Sequence, residues 1–385
     1  MSPSGAAPAS NRGAPKELNQ QRDLAIDVFR GMTVALMIVV NSLGSPDTYS
    51  PLLHADWHGF TLTDLVFPTF LFVVGNAMSF TQQKYEQVGE AAFFAKVLKR
   101  TLIIFLIGYL LFWLPFFRQD ALGAWSLKPF SHTRVFGVLQ RIALCYFIAS
   151  LTIHWLKLRG ALVFGCIALV AHWLILTVFG DLSMPGNAGT RLDLWLLGPD
   201  HLYHGEGVAF DPEGLLGTLP ATVNVIGGYV AGIYLQRRGR SYETIARMLL
   251  AGVALVSLAV GWDLLLPINK KLWTSSYVLL TVGIDLCVLA WLIFAIDMAG
   301  RRNWTRFFEV FGRNALVIFV LSEFLVIALF RIPAGAGSLY GWIYAHAFQS
   351  WAGDRNGSPL FAIAIMLICW AVGKVMDRRK LYVKV

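Results

Sequence analysis

The chain has 385 residues, 56% of them hydrophobic and only 14% charged, against roughly 25% charged in an ordinary soluble domain. Mean hydropathy is +0.60, and apolar runs such as 34–40 and 101–117 are too continuous for a water-facing helix, which excludes a water-soluble globule. The 32 Lys and Arg against 23 Asp and Glu lie in short loops between apolar runs rather than on one basic face, so nucleic acid is not an expected partner.

In chain order, a polar stretch over 1–23, read as a disordered cytoplasmic tail, precedes the first apolar run. That run starts too late for a signal peptide and should remain as an anchor. A span needs about 20 mostly apolar residues. Ten segments qualify, at 24–44, 62–82, 101–117, 135–156, 160–180, 215–235, 248–266, 275–298, 309–330 and 358–376, with a basic cytoplasmic tail over 377–385. Their continuous apolarity predicts helices, not barrel strands. The expected fold is therefore all-α, a polytopic membrane protein with one transmembrane domain over 24–376, surrounded by lipid.

Of the 32 basic residues, 21 fall on the side that carries both termini and eight on the other, which predicts cytoplasmic termini by the positive-inside rule. The far-side loops 45–61, 181–214 and 331–357 are long and rich in Gly, Pro, His and Trp. Chemistry is expected there. No internal repeat is detectable, which weakens an inverted-repeat carrier without excluding it.

A charge in the bilayer interior costs at least about 2.5–3.5 kcal/mol, so each needs a partner, a cavity or a task. Asp27 and Arg30 share a helical face, where an ion pair would offset the cost. Arg141, next to Gln140, has no acid one turn away. Its counter-charge is expected from Asp285 or Glu323, or from the phosphates of a ligand, which suit a guanidinium fork. Arg313-Asn314 sits at a depth suited to an anion entering from the cytosol, or to a capping role. Asp263, Asp285 and Glu323 add further interior acids.

The densest chemistry is Asn41, then His54-Ala55-Asp56-Trp57-His58-Gly59, then Thr63-Asp64 opening the second span. The short connection gathers an amide, imidazoles and carboxylates at one membrane boundary. A histidine there can accept a proton, a carboxylate can fix its tautomer, and an amide can donate to an oxyanion. An interfacial polar role, or a metal held by His54 and His58 if helical, are the alternatives. Cys145, Cys166, Cys287 and Cys369 lie inside predicted spans without a CxxC pair, so no metal is expected.

The motifs Asp27-Val28-Phe29-Arg30-Gly31, Val40-Asn41, His54 to Gly59, Asp64-Leu65-Val66-Phe67-Pro68, Gly137-Val138-Leu139-Gln140-Arg141, Phe210 to Thr218 and Leu272 to Tyr277 together closely resemble the heparan-alpha-glucosaminide N-acetyltransferase family. The resemblance implies a multi-span enzyme that takes acetyl-CoA from the cytosolic side and acetylates a glucosamine amine at the opposite face. His54 matches the family's catalytic histidine, with Asn41 and Asp64 as active-site neighbours; His58 stands where members can have Asn and is not the expected base. Arg141 and Gln140, with Arg30, Arg313 and Asn314, are the expected contacts for CoA. Asp211, Glu213, Ser275, Tyr277 and Trp57 are the sugar-site candidates, although Asp211-Pro212-Glu213 also reads as a helix cap. Lysosomal members have a large lumenal domain ahead of the first span. A short tail in its place points to a free amino-sugar and a bacterial inner membrane, and resembles smaller bacterial members, some described as transporters. The competing expectations are a sugar carrier relaying protons through Asp263, Asp285 and Glu323, and an O-acyltransferase acting on an envelope glycan. The sequence leaves oligomeric state open, with a homodimer among the expectations.

Overall fold

A computed structural model describes residues 24–85, 89–119 and 124–383. The polar stretch 1–23 lies outside the described residues, as do Lys384 and Val385 at the other end. The molecule is a helical assembly: α1 (Leu24–Asn41), α2 (Leu62–Tyr85), α3 (Glu90–Trp113), α4 (Val138–Val178), α5 (Ala188–Leu197), α6 (Leu215–Arg238), α7 (Tyr242–Asp263), α8 (Ser275–Ile293), α9 (Thr305–Arg313), α10 (Ala315–Arg331), α11 (Leu339–Tyr344) and α12 (Ser350–Arg378). The described strands form two short antiparallel hairpins, Phe117–Gln119 with Trp125–Leu127 and Pro333–Ala334 with Gly337–Ser338.

All ten expected spans fall on helix, but the helices do not divide one to a span. Among the described residues, seven helical stretches are long and apolar enough to cross a membrane, or eight if α9 and α10, bent by 83° at Asn314, form one span. Two features separate these counts from ten. The first is α3, which carries Lys96, Lys99 and Arg100 before its apolar half. The second is α4, whose 41 residues contain a break at Lys157 (φ 56°, ψ −175°). Arg141 and His172 line the same cavity, whereas 31 residues of straight helix would separate them by about 46 Å. The chain therefore doubles back at Lys157, and the segments 135–156 and 160–180 are two arms of a helical hairpin. A multi-pass membrane protein follows.

Close backbone approach holds the arms around the site. A Cβ added at Gly228 of α6 would overlap the Phe72 carbonyl of α2, and one at Gly75 would overlap the Val225 carbonyl. Small residues of this kind let membrane helices pack where apolar burial gives no net drive. On the other flank α1 rests on α9: Arg30 donates to the Gly312 carbonyl (3.3 Å) and pairs with Asp27 (3.3 Å), as its spacing predicts. The stretch read as a tail from 377 is partly structured. α12 runs to Arg378, Asp377 accepts from Arg313 (2.7 Å), and Asn314 binds the backbone of Leu381 and Val383.

Candidate active site

The connection between α1 and α2 folds back over the start of α2, and Asp64 is the reason. It occupies the third position of α2, where a carboxylate can reach the backbone N–H of the residue capping the helix. Its Oδ2 accepts from the N–H of Thr61 (3.0 Å) and the N–H of Ala55 (3.1 Å). Thr61 also donates to the Leu53 carbonyl at 2.7 Å. This clamp delivers His54 to the other oxygen, with Nδ1 2.7 Å from Oδ1. With two backbone N–H donors on Oδ2 and Oδ1 facing the ring, the tautomer that satisfies Asp64 places the hydrogen on His54 Nδ1 and leaves the lone pair on Nε2. Below, the Tyr277 hydroxyl donates to the Asp64 carbonyl (2.6 Å) and fixes α2 against α8.

The His54 side chain is 42% exposed while that of Asp64 is 1% exposed. A substrate can therefore reach the imidazole, but not the group that orients it. Desolvation in its recess holds the His54 pKa below the usual imidazole value. The nearby Lys270 ammonium adds to this, and Asp64 and Glu213 oppose it. The ring is thus neutral near pH 7, as a proton acceptor requires.

Lys270 is the neighbour that motif reading missed. Its Nζ lies 3.2 Å from both ring nitrogens of His54. A signal was present, since Lys270 and Lys271 form a basic pair in a loop on the side otherwise poor in basic residues. Lys271 turns the other way, to Glu206 (2.8 Å) and the Asp56 carbonyl (2.9 Å).

The other expected site residues separate into three groups. Asn41 donates to Glu323 (3.1 Å), an interhelical pair, so the structure joins His54 to Asp64 but does not join Asn41 to them. Arg141 and Gln140 lie at the His54 end of the bundle, not at the end rich in Lys and Arg. Arg141 donates to the Gly214 carbonyl (2.8 Å) and stacks over Trp273 (4.8 Å). Neither expected counter-charge meets it: Asp285 accepts from Thr69 (2.6 Å) and Glu323 from Asn41. Arg30, Arg313 and Asn314 lie at the opposite end. There Arg302, Arg306 and Arg313, with Glu309 and Asp377, line a cavity of about 340 Å³.

Among the sugar candidates, Asp211 and Glu213 are gripped by Arg134, at 2.7 Å and 2.6 Å, which holds its guanidinium charged more firmly than usual. They do not cap α6. That helix begins at Leu215, whose N–H is accepted by Asp193 of α5 (3.0 Å). Burial pushes the Asp193 pKa up to about 7. Ser275 is buried and donates to the Leu169 carbonyl (2.7 Å), and Trp57 donates to the Leu182 carbonyl (2.8 Å). Tyr277 is buried beneath Asp64. His58 faces Asn269 (3.3 Å) rather than His54's partners. Among the described residues no three His, Cys, Asp or Glu side chains gather as a metal site. The acids of the carrier reading are separately engaged, since Asp263 accepts from the Ile268 N–H (2.6 Å).

These observations define a multi-pass membrane protein with a carboxylate-oriented, solvent-reachable imidazole at one end of its bundle. Residues 22–195 match the family model for the catalytic region of heparan-alpha-glucosaminide N-acetyltransferase, and the chain resembles that family beyond the matched region as well. It is 29% identical over 360 residues to the heparan-alpha-glucosaminide N-acetyltransferase of Homo sapiens, covering 78% of this chain and 52% of the relative. To that of Mus musculus it is 28% identical over 386 residues, covering 84% and 57%. The chain spans little more than half the length of these relatives.

Proposed function

We propose that this protein is a membrane N-acetyltransferase that uses acetyl-CoA as donor and glucosamine or a related small amino-sugar as acceptor. The observation that carries the reading is the His54–Asp64 pair: a neutral, reachable imidazole whose Nε2 lone pair is presented by a buried carboxylate. The names of the similar proteins supply the reaction class.

In this reading His54 Nε2 takes the proton from the attacking amine while Asp64 holds the ring and stabilises the imidazolium that forms. The guanidinium-lined cavity at the opposite end suits the phosphates of a CoA donor, with Arg313 and Arg30 beside it and Asn314 supporting the α9–α12 contact. Arg141 and Gln140, at the His54 end, are closer to the acceptor than to a nucleotide entering from the basic end. The bacterial inner membrane and cytoplasmic termini belong to the same proposal.

The test is release of free thiol by the purified full chain in detergent, supplied with acetyl-CoA and glucosamine. His54→Ala should abolish turnover. A chain that releases no CoA, or a His54→Ala variant as active as wild type, overturns the reading.

A further inference from the structure

We propose that Lys270 is a catalytic residue of this site, its ammonium holding the oxyanion that forms when the acceptor amine attacks the thioester carbonyl beside His54 Nε2. The inference rests on the acetyl-transfer reading above.

An Nζ equidistant, at 3.2 Å, from both ring nitrogens lies on the plane that bisects the N–N vector. It therefore approaches Nε2 without lying along its lone pair. A substrate amine can take that direction, and the carbonyl it attacks is then brought next to the ammonium, whose three N–H donors can turn toward it.

The backbone that carries the ammonium is also fixed. Lys270 opens a tight turn in which its carbonyl accepts from Trp273 N–H (3.0 Å) and the Asn269 carbonyl from Thr274 N–H (3.1 Å). Asn269 closes the turn, accepting from Leu272 N–H at 2.8 Å and donating its own N–H to Thr274 Oγ1 at 3.0 Å. A fixed donor costs no reorganisation when charge develops, which is what makes an oxyanion site effective.

Lys270 also lacks a structural occupation. Among the described residues no carboxylate reaches ion-pair distance of its Nζ, whereas Lys271 beside it is paired with Glu206. Asn41, the other candidate for the oxyanion, is bonded to Glu323.

The amine nitrogen forms a bond to the carbonyl carbon, and the carbonyl π pair moves onto oxygen, facing Lys270. The extra proton on nitrogen goes to His54 Nε2. The oxygen pair then re-forms the carbonyl, the C–S bond breaks, and the departing thiolate takes the proton from the imidazolium to leave as CoA thiol.

Removing the ammonium has a second consequence. His54 is faced by Asp64 of α2, Lys270 of the loop before α8 and Glu213 of the loop before α6. Burial lowers the Lys270 pKa from the usual lysine value; Glu213 and Asp64 oppose this and favour the ammonium, while Lys271 and Arg141 add to the lowering. Without the lysine charge, burial still lowers the His54 pKa, but the opposing influence of Asp64 and Glu213 is no longer offset by Lys270, so protonation moves to higher pH than in wild type.

The experiment uses the full chain in detergent. Lys270→Met should lower kcat by about 10²–10³-fold and move the acid limb of kcat/KM up by roughly one pH unit. Lys270→Arg, which keeps the charge, should recover part of kcat and leave the limb near its wild-type position. A readout independent of turnover is the pH dependence of His54 modification by diethylpyrocarbonate, with His54→Ala as the blank. This should show the same upward shift in Lys270→Met. If wild type turns over and Lys270→Met matches it in kcat, or if its His54 profile does not move, this proposal fails and the acetyl-transfer reading stands. A wild type that releases no CoA overturns both.

Discussion

In the proposed transfer the chemistry at His54 turns on which ring nitrogen carries the lone pair, which Asp64 sets through one hydrogen bond. Asp64→Asn would preserve shape while allowing the wrong tautomer, so kcat should fall by about 10²–10⁴-fold in the thiol-release assay, with little change in KM for the sugar. The pH dependence has a definite sign. Because recess desolvation and Lys270 together lower the His54 pKa, wild-type activity should persist below the ordinary imidazole value of about 6.5 before it falls. Loss of the Asp64 charge should move that limb lower still, opposite to the shift expected for Lys270→Met. The pairing of His54 with Asp64 was legible in the sequence because both residues come from one short connection. The contacts of Asn41, Lys270 and Arg141 were not, since their partners Glu323, His54 and Trp273 lie far along the chain; the Lys270-Lys271 pair marked an unusual loop but not what it faces.

The helices were legible as apolar runs, and the hairpin within α4 is signalled by Lys157-Leu158-Arg159-Gly160 between two greasy segments. The start of α6 was not legible, because an acid–proline–acid run resembles a cap. The Arg134 guanidinium holds both acids instead, and the capping carboxylate comes from Asp193, 22 residues earlier. What the site asks of its helices is tight packing, above all between α2, which carries Asp64, and α6. Gly228→Val would push a side chain into the Phe72 backbone, a kind of overpacking that typically costs about 1–3 kcal/mol. It should lower the Tm in detergent and reduce kcat by displacing α2. An unchanged Tm would show that the contact between α2 and α6 is looser than described.

For the whole molecule the distribution of charge matters more than its total. The interhelical loops rich in Lys and Arg lie at the end of the bundle opposite His54, and the same end holds the cavity lined by Arg302, Arg306 and Arg313. The imidazole, Lys270 and the Arg134 cluster gather at the other end. Such a polarised bundle is suited to taking an anionic donor from one side and an acceptor amine from the other. The most direct measurement places the full chain in sealed vesicles of one orientation, with acetyl-CoA and glucosamine supplied on chosen sides. N-acetylated sugar should form when the donor faces the basic loops and the acceptor faces the His54 loop, and should be lost in His54→Ala. Product formed only when both substrates are on the basic-loop side would contradict the account.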